Sequence, residues 1–165
     1  MSFLEGDVEY LPFAEGTFDL VTCHKAFHHF QRSERVLSEL HRVLRQGGRL
    51  TLGDTISSED PAKNEYHNRL ERLRDPSHVQ MHSVSQLRAF AERSGFSVED
   101  ISQFDDERDF ETWMKTITPP ADVIEKIRGM MIAGIPHDPT GQNVRLVDGK
   151  LYYTRHSLVL SALKK

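Results

Sequence analysis

GDVEYLPFAEGTFDLVTCHKAFHHF, residues Gly6 to Phe30, decides how this chain is read. An acidic residue, Asp7, follows a short apolar run that includes Phe3 and Leu4. Pro12 to Gly16 carries turn chemistry. Phe18 to Cys23 (FDLVTC) is apolar without clean alternation and is bounded by turn residues. That pattern predicts a strand buried on both faces, as in a parallel sheet. A loop with His24, His28 and His29 follows and feeds a helix.

Working outward, Met1 to Glu5 reads as a short strand or the tail of one. Ser33 is placed to cap a helix with Val36, Leu37, Leu40, Val43 and Leu44 on one stripe. Gly47 and Gly48 would end that helix in a left-handed exit, and Arg49 to Asp54 (RLTLGD) would be the next strand. Strand, helix and strand then make a right-handed parallel crossover. Asp60-Pro61 is a cap followed by a first-turn proline, before a helix with Ala62, Tyr66, Leu70 and Leu73 on one face. Ser83 to Gln86 is a capping box, and its helix stops at Gly95. Phe96 to Phe104 predicts a strand. Two amphipathic helices follow, one with Phe110, Trp113, Met114 and Ile117, the other with Val123, Ile124, Ile127, Met130 and Met131. Asp148-Gly149, between Val144–Val147 and Lys150–Leu163, is a two-residue hairpin signal.

The 165 residues suit a single domain with its own core. A net charge of −4 and the lack of a Lys/Arg block argue against a nucleic-acid surface. No apolar run approaches the about 18 residues that a membrane-spanning helix needs. Cys23 is the single cysteine, which excludes an intramolecular disulfide or a cysteine-based metal site and is consistent with a cytoplasmic protein. His78 and His82 have the spacing of one helical turn, but the companion ligands of a zinc site are missing, so no metal is expected.

The Gly6–Phe30 segment, together with RVLRQGGRL (Arg42–Leu50) and the Ser94-Gly95-Phe96 step after the later helix, resembles the class I S-adenosylmethionine-dependent methyltransferases of the ubiquinone/menaquinone C-methyltransferase kind. Gln46 stands where that family usually has proline. The resemblance implies an α/β, Rossmann-like sheet made of the family's strands four to seven, the last antiparallel, with a helical insertion at about 105–143 before the final strand. Residues 1–165 would be one methyltransferase domain truncated at its N-terminal side, because neither a glycine-rich cofactor loop nor the acidic ribose-binding residue is present in the sequence.

The resemblance also implies roles. Asp7 and Val8 would contact the adenine of S-adenosylmethionine, and Cys23 and His24 the methionine end. His29 would lie beside the cofactor, and His28 is the candidate catalytic residue. An imidazole near neutral pH can take a proton from an acceptor, although methyl transfer itself mainly requires positioning and exclusion of water. The acceptor would be a small molecule, contacted by the helical insertion. Cofactor binding would need the missing wall to be supplied. The open edge of Phe18–Cys23 would be covered by a second copy or a companion chain, since an uncharged open edge invites association. An alternative is a non-catalytic remnant of the fold serving as a dimerisation or partner-binding module.

Overall fold

The computed structural model describes residues 3–165. Strand β1 (Phe18–His24) runs parallel to β2 (Leu44–Thr55), and α1 (Ser33–Val43) crosses between them. Helices α2 (Pro61–Arg74) and α3 (Val84–Arg93) lead to β3 (Phe96–Asp109). Then come α4 (Phe110–Lys115), α5 (Ala121–Gly134), β4 (Arg145–Val147) and β5 (Lys150–Lys164). The last strand inserts between β2 and β3, antiparallel to both, giving the order β1-β2-β5-β3, with β4 paired to β5. This is the α/β, Rossmann-like sheet with an antiparallel final strand that the sequence predicts.

Two cores hold the sheet. In the first, Val36, Leu37 and Leu40 of α1 and Leu87 and Ala91 of α3 pack on Leu50, Leu52, Leu158 and Leu160. In the second, Leu70, Phe110, Met114, Ile127 and Met131 enclose Leu151 and Tyr153 at the far end of β5. Each fully buried Leu or Phe contributes about 1.5–3 kcal/mol. Several local readings hold. Asp60 accepts hydrogen bonds from the N–H groups of Ala62 and Lys63 at 2.8 and 3.2 Å. Ser83 and Gln86 form the reciprocal capping box. Asp148 and Gly149 both have positive φ (49° and 73°), as a two-residue primed turn requires.

Other readings are corrected. Of the strand expected at Met1 to Glu5, residues 1 and 2 lie outside the described residues, and Phe3 to Glu5 is irregular and exposed. Phe18–Cys23 is a strand but is not buried on both faces. Among the described residues β1 pairs only with β2, so Leu20 stays 53 % exposed. Ser33 is not the cap of α1. Arg32 holds that position without a side-chain bond, and the Ser33 hydroxyl donates back to the Phe30 carbonyl.

Gly47-Gly48 does not end α1 either, because the helix gives way at Leu44, directly into β2. Between Phe18↔Leu44 and Leu20↔Arg49, β2 advances five residues while β1 advances two. The glycines belong to this bulge. Gly47 has φ +73°, and a Cβ on Gly48 would stand 2.8 Å from the Arg45 carbonyl oxygen. Finally, β3 runs on to Asp109, so the helices of the insertion begin only at Phe110. Among the described residues no helix is long and apolar enough to cross a membrane.

Candidate active site

The carboxyl ends of β1 and β2 lie side by side, which is where open α/β sheets place ligands. The chain leaves β1 through Lys25, a non-glycine residue at φ 49° whose N–H donates to the Gly53 carbonyl at 2.8 Å. A one-turn 3₁₀ helix, Phe27–His29, follows, anchored by the buried Phe27 ring. It sets His28 against Asp54, the second residue from the end of β2. The His28 N–H donates to Asp54 Oδ2 at 3.1 Å, and the ring Nδ1 lies 2.6 Å from Oδ1. The Thr55 N–H donates to the same Oδ1 at 2.7 Å. The Asp54 side chain is 3 % exposed, so these donors replace its water. An Nδ1 proton held on a carboxylate leaves Nε2 as the basic nitrogen of the ring.

His28 and His29 open onto a cavity of about 280 Å³. Its far wall comes from α2 (Glu71, Arg74), α4 (Thr112, Trp113) and the extended ends of β3 and β5 (Arg108, Tyr153, Arg155). His29 Nδ1 donates to the Ser77 carbonyl at 2.9 Å, and its ring centre is 4.1 Å from that of His28.

Behind the cavity is a buried polar layer. Asn68, wholly buried, donates to the carbonyls of Asn64 and Met81 and accepts from the Met81 N–H and His78 Nε2. Burial, helped by the nearby His28 and His67, pushes the His78 imidazole down to about 3. Burial likewise pushes His67 down to about 4. The His67 Nδ1 meets the Ser57 hydroxyl at 3.1 Å. Burial raises the Glu71 carboxyl, against the pull of Arg74, whose Nε donates to it at 2.9 Å. Burial and the Glu71 charge both raise the Tyr153 phenol.

The residues singled out from the sequence separate into two places. His28 and His29 line the cavity. Cys23 and His24 end β1 nearby; the Cys23 thiol is pushed up to about 11 by burial and by Asp54, and His24 is exposed. Asp7 is exposed and caps a turn, its Oδ1 accepting from the Glu9 N–H at 2.9 Å. Val8 is half-buried against the first core and lines a surface groove with Leu4, Gly6, Leu11, Pro12 and Phe13. His78 and His82 do not share a helix: His78 turns to Asn68, and His82 Nε2 lies 3.4 Å from the Ser33 hydroxyl. Among the described residues no cluster of His, Cys, Asp and Glu is arranged to hold a metal ion. Sequence reasoning missed Asp54, whose signal was Gly53-Asp54 at a strand's carboxyl end. It also missed Glu71, Arg74, Arg108, Tyr153 and Arg155, which carry no local motif.

Known proteins share this fold. The family described as Methyltransferase domain matches residues 1–52. Over 120 residues the chain is 39% identical to YcgJ of Bacillus subtilis (strain 168), an uncharacterized methyltransferase, covering 73% of this chain and 47% of that protein. The solved structure of Bacillus subtilis YcgJ superposes with a TM-score of 0.92 at 30% identity, over 99% of this chain and 70% of that one. The ubiquinone/menaquinone biosynthesis C-methyltransferase UbiE of Agrobacterium fabrum (strain C58 / ATCC 33970) is 28% identical over 116 residues, covering 70% of this chain and 43% of that protein. The chain spans about half the length of the curated relatives it matches. With this sheet, and a superposition on YcgJ that covers 99% of this chain at 30% identity, the chain belongs to the class I S-adenosylmethionine-dependent methyltransferases.

Proposed function

We propose that this chain takes part in methyl transfer from S-adenosylmethionine to a small-molecule acceptor seated in the 280 Å³ cavity, with His28 as general base. The observation that carries this reading is the 2.6 Å contact between His28 Nδ1 and the buried Asp54 on the cavity wall. Asp54 fixes the tautomer and ring orientation, and it stabilises the imidazolium formed when Nε2 takes the acceptor's proton.

The family's cofactor, when bound, supplies an electrophilic methyl group. The residues of this chain fit its two ends. The apolar groove beside Val8 suits a purine face, and the Asp7 carboxylate beside it is exposed, with only Oδ1 engaged by the chain's own backbone among the described residues. We assign the adenine contacts to Asp7 and Val8, and the methionine-end contacts to Cys23, His24 and His29. A thiol raised to about 11 stays protonated at neutral pH, so Cys23 bounds the site and does not act as a nucleophile. Within residues 105–143 of the single domain, α4 roofs the acceptor cavity through Thr112 and Trp113. The outer edge of β1, unpaired among the described residues, is where a strand from a second copy or a companion chain pairs.

The test is formation of S-adenosylhomocysteine across a set of small phenolic and carbon acceptors, for the wild type and for Asp54→Asn and His28→Gln. Both variants should lose about 10²–10⁴-fold in turnover while the heat of cofactor titration is retained. Wild-type turnover in either variant would remove the assigned base.

A further inference from the structure

The cavity wall opposite His28 carries a charge pattern that general-base chemistry does not use. On β3, Asp106 stands in register with Arg155 of β5, and Arg108 with Tyr153. Alternate strand positions face the same side, so Asp106, Arg108, Tyr153 and Arg155 share one face of the ribbon. Their neighbours Asp105, Glu107 and His156 lie on the other face, where Asp105 pairs with His156 and Glu107 with Arg145. On the cavity face, Arg155 binds Asp106 through Nε and one terminal nitrogen, at 3.0 and 3.1 Å. Arg108 turns its buried Nε onto the same carboxylate, 2.5 Å from Asp106 Oδ2. Two guanidinium groups thus share one carboxylate, leaving one positive charge in excess and unused N–H donors.

Nothing else on the wall cancels that excess. Of the two carboxylates lining the cavity, Glu71 is balanced by Arg74, while Asp75, held by the neutral N–H and hydroxyl of Ser77, keeps its charge and balances Lys25 in the sum over the wall. The cavity is therefore cationic in a chain whose net charge is −4. Two aromatic rings also line it. The Trp113 ring stands 5.1 Å from the Tyr153 ring, and the Arg74 guanidinium covers it at 5.0 Å.

We propose that Arg108 and Arg155 bind a carboxylate carried by the acceptor, whose flat apolar body lies against Trp113 and Tyr153. This deepens the functional reading above and rests on it only for the word acceptor. Guanidinium N–H groups match the two oxygens of a carboxylate in geometry as well as in charge. Specificity follows from the same wall. A neutral isostere leaves the surplus charge uncompensated, and a cationic ligand is repelled.

Trp113 is the chain's single tryptophan and lines the cavity, so its emission reports occupancy without turnover or cofactor. The experiment titrates benzoate and its neutral isostere benzamide into the full chain. Benzoate should change Trp113 emission saturably and bind at least about tenfold more tightly than benzamide. Arg155→Gln and Arg108→Gln should each abolish that preference. Asp106→Asn, which removes the carboxylate holding both guanidinium groups, should tighten benzoate binding, a gain that a misfolded variant cannot give. Equal binding of benzoate and benzamide would overturn the proposal. So would benzoate affinity unchanged by the two arginine variants, or weakened in a folded Asp106→Asn chain. If benzoate binds as expected and no methyl transfer is found, the carboxylate site stands and the catalytic reading alone fails.

Discussion

The segment from Gly6 to His24 and the cavity wall built from α2, β3 and β5 are opposites. The first is dense in motif and poor in burial: Asp7 is exposed, Leu20 is 53 % exposed, and the Asp7 carboxylate is turned partly onto its own backbone. The second has no motif, yet it buries Asn64, His67, Asn68, Glu71 and His78 and satisfies nearly all of them. The difference teaches that the two ends of a transfer site are specified differently. On the proposed assignment, cofactor contacts come from one short stretch with strand-end backbone geometry, and acceptor contacts are assembled from side chains far apart in sequence.

Stability should follow the same contrast. The largest effect is expected on the acceptor side. Phe110→Ala, emptying a fully buried site in the second core, should cost about 3–5 kcal/mol in denaturant unfolding. Phe3→Ala, on an 87 % exposed ring, should stay within about 0.5 kcal/mol. Comparable losses at both positions would break the comparison.

Acid comes next. His67 and His78 stay neutral in the folded chain down to about 4 and about 3, whereas unfolded imidazoles protonate near 6.5. Below that value the unfolded chain takes up protons that the folded chain refuses. The stability these rings contribute is therefore complete above about 6.5. It is lost as pH falls, at up to about 1.4 kcal/mol per pH unit for each ring. A thermal-melt series from neutral pH to pH 4 should show this decline. It should flatten in a His67→Gln, His78→Gln double variant, relative to that variant's own neutral-pH stability. A wild-type melting point that does not move over this range would show that the buried layer is open to water.

A smaller effect is expected at α3, where Ser83→Ala removes one half of the capping box and should cost about 1 kcal/mol by thermal melting. The edge of β1 gives a further contrast without substitution. Amide exchange should be slow along Leu50–Gly53 of β2, bonded on both sides. Outward-facing amides of β1 should exchange fast unless a partner strand covers them.

How much of this was legible follows from range. The βαβ unit, the capping box, the Asp60 cap and the Asp148-Gly149 turn depend on residues within a few positions of one another, and the sequence carries them openly. The exit of α1 was misread because a Gly-Gly pair suits a helix stop and a strand bulge equally well, and only the register with β1 decides. The two-faced burial of Phe18–Cys23 was misread because its apolar pattern describes neighbours on both sides, and the described residues provide one. His28 was visible as half of a His-His pair. Its partner Asp54, 26 residues away, becomes adjacent only through the parallel pairing of β1 with β2. Arg108, Tyr153 and Arg155 meet through the long β3–β5 ribbon, which no local pattern announces.

The most direct test of the division into a cofactor side and an acceptor side is a backbone amide shift map. It uses the isotopically labelled chain titrated with S-adenosylmethionine, a readout that also detects weak binding. Saturable shifts are expected to cluster at Asp7–Glu9, Cys23–Lys25 and His28–His29, with β4 and α5 undisturbed. An absence of shifts at those residues, or shifts centred on the α4–β5 wall, would contradict that division.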